Sequence, residues 1–136
     1  MRRTAVGIVG IAILLTAAPV WAHHSFAAEF DINKPITLSG TLTKMVFSNP
    51  HGWIYLDVNG SNGEVVNWAV ETGGPNTWLR RGLRASDFPP GMEIVVEGYL
   101  AKDGTSTANA ITVTLPDGRN VFAGSTGTGA PSAPRQ

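Results

Sequence analysis

Only three histidines occur in the 136 residues, and two of them are adjacent. His23 and His24 open the stretch H-H-S-F-A-A-E-F, while His51 stands in S-N-P-H-G-W. Imidazole nitrogens suit copper and zinc, and intrinsic affinity favours copper over zinc. If the chain is cut after Ala22, His23 becomes the first residue. Its α-amine, with an ordinary pKa of about 8, is then partly neutral at pH 7. That amine and the His23 imidazole close a chelate ring on one ion. A third nitrogen, from His24 or His51, completes a T-shaped copper site of the kind called a histidine brace. Adjacent side chains on an extended arm point apart, so His23 and His24 need not share an ion. Glu29, Asp31 and Glu71 are further candidate donors, and their spacing selects none of them. The plainer account is a polar pair that keeps a new terminus soluble and a loop histidine that hydrogen-bonds backbone.

Other side chains suggest binding rather than catalysis. Trp53 and Tyr55 share one face of a strand with Asp57, and aromatics so placed stack against bases, sugars or other flat groups. Packing against the N-terminal arm or the barrel end is the competing use of that pair. Arg80 and Arg81 suit a solvated helix end, with an anion site as the lesser alternative. Ser25 beside His24 is not a triad, and neither G-x-S-x-G, a P-loop nor H-E-x-x-H occurs. No catalytic constellation is legible, so the sequence does not read as an enzyme. The absence of cysteine excludes disulfides, thiolate metal sites and lipidation at a cleavage-site cysteine.

Export explains the start of the chain. Arg2 and Arg3 precede the uncharged apolar run A-V-G-I-V-G-I-A-I-L-L-T-A-A, Pro19 breaks it, and V-W-A supplies an A-x-A-like cleavage site. The run is shorter than the roughly 20 residues that cross a bilayer, which favours a cleaved signal over an anchor. The Arg pair lacks the apolar continuation of a twin-arginine signal. Cleavage removes two of ten basic residues and none of ten acidic ones, leaving a net charge of −2. A charged fraction of 15%, against about 25% in ordinary domains, and this mild acidity argue against a nucleic-acid partner. The expected location is the periplasm or the exterior, with no membrane span after cleavage.

The remaining residues must position these groups. Residues 35–47 alternate with a period of two, placing Ile36, Leu38, Leu42 and Val46 on one face, with Gly40 allowing a sharp coil. Residues 53–58, 64–71, 92–100, 109–115 and 120–123 read as further strands. The segment S-N-P-H-G places His51 in the loop joining the first two strands, and N-G-S-N-G forms a hairpin loop. A short helix is expected over 76–82, capped by Asn76 and stopped at Gly82. Trp68 and Trp78 are expected in core and helix contacts. Three strands, a short helix and further strands give an all-β fold class. The element order is that of a small OB-fold-like barrel of five to six strands, its helix between strands three and four. Another small sandwich or barrel is the alternative. The predicted organisation is a signal at 1–22, an arm at 23–34 tethered by Phe26, Phe30 and Ile32, a barrel at 35–123, and a disordered tail at 124–136.

The segments A-H-H-S-F-A-A-E-F-D, N-P-H-G-W-I-Y-L-D-V, V-N-W-A-V-E and V-E-G-Y-L-A-K-D-G resemble a family of small exported bacterial proteins of unknown function. The resemblance covers almost the whole chain after the signal, and its signatures are A-H-H-S-F and N-P-H-x-W. It implies a periplasmic protein and carries no activity. His23, His24 and His51 are its signature positions.

Two functional readings follow. One is a periplasmic protein that binds a copper ion, less readily zinc, through His23, His24 and His51, as a carrier or accessory. The other is a metal-free binding module that uses Trp53 and Tyr55 against a small organic ligand or a partner protein.

Overall fold

The computed structural model describes residues 25–125 and 129–131. The expected signal at 1–22, the arm histidines His23 and His24, and residues 126–128 and 132–136 of the expected tail lie outside the described residues.

Six strands carry the fold: β1 (Phe30–Val46), β2 (His51–Asn59), β3 (Val65–Gly73), β4 (Glu93–Ala101), β5 (Thr107–Thr114) and β6 (Asn120–Phe122). A short helix α1 (Phe26–Glu29) precedes them, and α2 (Pro75–Leu79) lies between β3 and β4. β1 pairs with β2 and β4, β2 with β3, and β4 with β5, all antiparallel. A parallel pairing of β3 with β5 closes the ring, and β6 folds back on β5 as an outer hairpin strand. The fold is therefore an all-β barrel of five strands plus one, with the OB-type order anticipated from the element sequence. Among the described residues no helix is long and apolar enough to cross a membrane.

Strand β1 serves both neighbours. Its residues 35–41 pair with β4 and its residues 41–46 with β2. The change of partner falls at Thr41, next to Gly40, where a Cβ would overlap the carbonyl oxygen of Asp57. The missing side chain lets the two strands coil past each other. A β-bulge at Thr43 then adds one residue to β1 between Leu42 and Lys44, and the Thr43 hydroxyl donates to the Tyr55 carbonyl at 3.1 Å. The extra residue reverses the alternation beyond it. Met45 and Phe47 turn to the core, and Val46 pairs with Trp53 on the outer face. Val46 thus departs from the face assigned by simple alternation.

Leu42, Ile54, Leu56, Val70, Val96 and Val113 fill the barrel, each at most 1% exposed. The barrel end is plugged by Trp78 of α2 and Phe88, with ring centroids 5.1 Å apart at 73°, and Phe47 leans on both. The helix starts one residue earlier than expected. Gly74 is its N-cap and Pro75 its first residue, because the fixed φ of proline suits that position and its missing N–H costs nothing there. The helix ends at Leu79, short of the expected 82, and Gly82, at φ +74°, closes the turn that follows it.

The domain boundaries also differ from expectation. Phe26 and Phe30 tether the arm, but Ile32 is 55% exposed and takes no part. β1 begins at Phe30 rather than Pro35, because the arm pairs with β4 at Phe30–Ala101. At the other end the chain stays packed past residue 123. The Gly73 N–H donates to the Ala123 carbonyl at 2.8 Å, and Ser125 is buried.

Replacing Gly40 with alanine forces a methyl group against the β2 backbone. The expected loss is about 1–3 kcal/mol, read from urea unfolding midpoints; an unchanged midpoint would remove the coil at Gly40 from the account.

Candidate functional site

His51 is the first residue of β2, not a loop residue, and pairs with Gly73 of β3. The strand extends back to it because the β1–β2 connection is tight. The Asn49–Pro50 peptide is cis, and the Ser48 hydroxyl donates to the His51 carbonyl at 2.6 Å. Gly52 is required beside it, since a Cβ there would lie 2.8 Å from Thr72 Oγ1 and 2.9 Å from the Gly73 carbonyl. Along β2, His51, Trp53, Tyr55 and Asp57 face outward, while Gly52, Ile54 and Leu56 are buried.

The β2–β3 pairing gives His51 its carboxylate neighbour, and the barrel closure adds Asn109. Directly paired residues on adjacent strands project from the same face. The pairings Trp53–Glu71, Glu71–Asn109 and Asn109–Tyr99 therefore draw one lateral row across β2, β3, β5 and β4. His51 stands one step along β2 from that row. Its Nδ1 lies 3.1 Å from Glu71 Oε1, an ion-pair distance without straight hydrogen-bond alignment. Asn109 Nδ2 donates to the same carboxylate oxygen in a long contact of 3.4 Å.

Glu71 is only 7% exposed and Asn109 only 1%. A buried carboxylate is costly unless charge and hydrogen bonds offset the loss of water. The Asn109 amide and the His51 ring face this carboxylate. A carboxylate facing Nδ1 favours the proton on that nitrogen and leaves the lone pair on Nε2, at the far side of the ring. Asn109 Oδ1 is buried with no hydrogen-bond partner among the described residues.

The N-terminal arm docks against the same face. Phe26 stacks on Phe30 with centroids 5.7 Å apart and meets Tyr99 edge-on at 5.6 Å. The Lys102 backbone N–H donates to the Glu29 carbonyl at 2.8 Å, and Lys102 Nζ donates to the Ala27 carbonyl at 2.6 Å. Trp53 and the α1 residues Ala28 and Glu29 line a cleft of about 500 Å³, with Phe30 and Lys102. Beside it, the turn after β4 is fixed by Asp103, whose carboxyl the Thr105 backbone N–H and hydroxyl hold below its ordinary value.

The candidates named from sequence thus divide. His51, Trp53 and Glu71 come together on one outer face of the barrel, and Glu71 is the carboxylate that the fold selects. Glu29 lies on the arm side of the Trp53 cleft, and Asp31 is bound to Lys34 at 3.9 Å. Tyr55 faces outward but lies away from the lining of that cleft, with Lys44 Nζ 5.8 Å from its ring centre. His23 and His24 lie outside the described residues, and among the described residues no three His, Asp or Glu side chains form a metal cluster by themselves. Asn109 was not anticipated. The parallel β3–β5 pairing that brings it to Glu71 leaves no local sequence signal.

A family model described as a family of unknown function (DUF6152) matches residues 12–110. The chain belongs to the DUF6152 family. No curated protein matches its sequence. The matched span of this DUF6152 chain contains all three histidines, Glu71 and Asn109, and ends before β6.

Glu71→Ala strips the buried face of its carboxylate and leaves His51 Nδ1 and the Asn109 amide without it. The expected destabilisation is about 1–3 kcal/mol, against less than about 0.5 kcal/mol for a surface exchange. Chemical denaturation of the two kinds of variant measures the difference, and equal midpoints would mean that the pair does not hold this face together.

Proposed function

We propose that this chain is a periplasmic copper-binding protein, acting as a carrier or accessory. In this reading His51 Nε2 supplies one ligand, and the processed N-terminus supplies the rest through His23 and His24. One observation carries the reading: a buried carboxylate faces Nδ1 of the single histidine of the barrel, on the face where the arm is fastened. Metal-bound histidines commonly turn their second ring nitrogen to a carboxylate, which fixes the tautomer and strengthens the donor. Glu71 supplies that partner, and its negative charge favours a cation nearby. Asn109 Oδ1 offers a further acceptor for a donor entering the site.

The arm's attachment supports the same reading. Phe26 is anchored on Tyr99, and His24 and His23 follow within two and three peptide links of it, a reach of about 7 and about 11 Å. Nitrogen donors of this kind favour copper over zinc on affinity. The chelating amine exists only when His23 is first, so processing after Ala22 belongs to the proposal.

The second reading, a metal-free module for a small organic ligand or partner protein, has its own support in the cleft between Trp53 and the arm. Quenching of tryptophan fluorescence by a ligand, undiminished by a chelator, favours it.

Copper(II) titration of protein whose mass shows His23 as the first residue, followed by electron paramagnetic resonance, tests the first reading. A stoichiometric signal with nitrogen hyperfine structure that changes in His51→Ala, with at least about tenfold weaker affinity, is expected. A signal and affinity identical in His51→Ala would reject His51 as a ligand.

A further inference from the structure

A second concavity lies between the β1–β2 connection, α2 and β6. Its volume is about 630 Å³, within the range of small-molecule sites. Asn49, Asn76, Thr77, Arg80, Arg81 and Phe122 contribute to its wall, and no carboxylate does. Two guanidinium groups without an acidic neighbour are unexpected on a chain whose net charge after processing is −2.

The cleft is also partly preorganised. Arg81 Nη1 donates to the Thr77 carbonyl at 2.6 Å, and its guanidinium carbon lies 5.1 Å from the centre of the Phe122 ring. That uses one of the five N–H donors and restrains the rest of the fork. Neither arginine forms an ion pair with a carboxylate among the described residues. A restrained guanidinium loses less entropy on binding and matches an oxyanion with two parallel hydrogen bonds. The side chains of Asn49, Asn76 and Thr77 add neutral polar groups around it. Gly74 keeps the wall tight, since a Cβ there would lie 2.8 Å from Asn49 Oδ1 and 2.9 Å from the Pro50 carbonyl.

We infer that this cleft binds a small organic oxyanion, a carboxylate or a phosphate ester, with Arg81 as the oriented fork and Arg80 as the second positive charge. The inference is independent of the copper reading, because it uses neither His51 nor the arm.

Amide chemical-shift titration of the full processed protein with citrate, and separately with glycerol phosphate, in 150 mM sodium chloride provides the test. Saturable shifts centred on Asn76, Thr77, Arg81 and Phe122 are expected with at least one probe, and the responding probe names the oxyanion class. Arg81→Gln should weaken binding at least about tenfold, and Arg81→Lys should not restore it, because lysine keeps the charge but not the fork. Arg80→Gln, whose side chain makes no hydrogen bond among the described residues, should weaken binding without disturbing the fold. His51→Ala should leave it unchanged. Absence of saturable shifts with both probes, or an affinity unchanged from the unsubstituted protein in Arg81→Gln, would overturn the inference.

Discussion

The parallel pairing of β3 with β5 is the constraint on which the rest of the molecule depends. Three register pairs, Ala69–Thr107, Val70–Ala108 and Glu71–Asn109, convert an open antiparallel sheet into a closed barrel. The closure buries Val70 and Ala108 completely on the inside. On the outside it sets Asn109 beside Glu71, which the β2–β3 pairing holds within reach of His51. A register slip of one residue would send Glu71 into the apolar interior and Val70 outward. The same pairing therefore secures the core and assembles the polar face.

The polar face is sheltered by aromatic packing. Phe26, Phe30 and Tyr99 form a small cluster outside the barrel, and Lys102 binds the carbonyls of α1 through both its backbone and its side chain. A four-residue helix has little stability of its own, so its place is set by these contacts. Burial of the aromatic rings supplies the driving force, and the hydrogen bonds fix the position. The face beneath combines a buried carboxylate with an imidazole, a pairing that disposes the histidine to bind through its other nitrogen. The OB-type barrel alone specifies no activity, since folds of this kind host many functions. The functional reading rests on His51, Glu71 and the attachment of the arm.

Much of this was legible in the sequence, because strand alternation and turn residues are local signals. Five short alternating segments and a helix between the third and fourth strands gave the barrel order. Gly40 marked the coil of β1, and Gly82 the end of the helical turn. What escaped was non-local or compensated. The bulge at Thr43 reverses the alternation without any glycine or proline to mark it, so Val46 was assigned to the wrong face. Pro75 displaced Asn76 from the cap because a helix can begin on proline. Ile32 looked like a tether by hydrophobicity alone, yet its neighbours Phe26 and Phe30 complete the contact. Among the acidic residues, spacing did not distinguish Glu71 from Glu29 and Asp31. The register of the β2–β3 hairpin does that, and the ladder between the distant strands β3 and β5 brings in Asn109.

The central claim is that the processed N-terminus and the barrel histidine act on one ion. Paramagnetic broadening of amide resonances by substoichiometric copper(II) tests it most directly in the intact processed protein. The account predicts simultaneous loss of signals from the arm at Ser25 and Phe26 and from the strand residues around His51, Glu71 and Asn109. Broadening confined to the arm, with the β2–β3–β5 face unchanged, would contradict it.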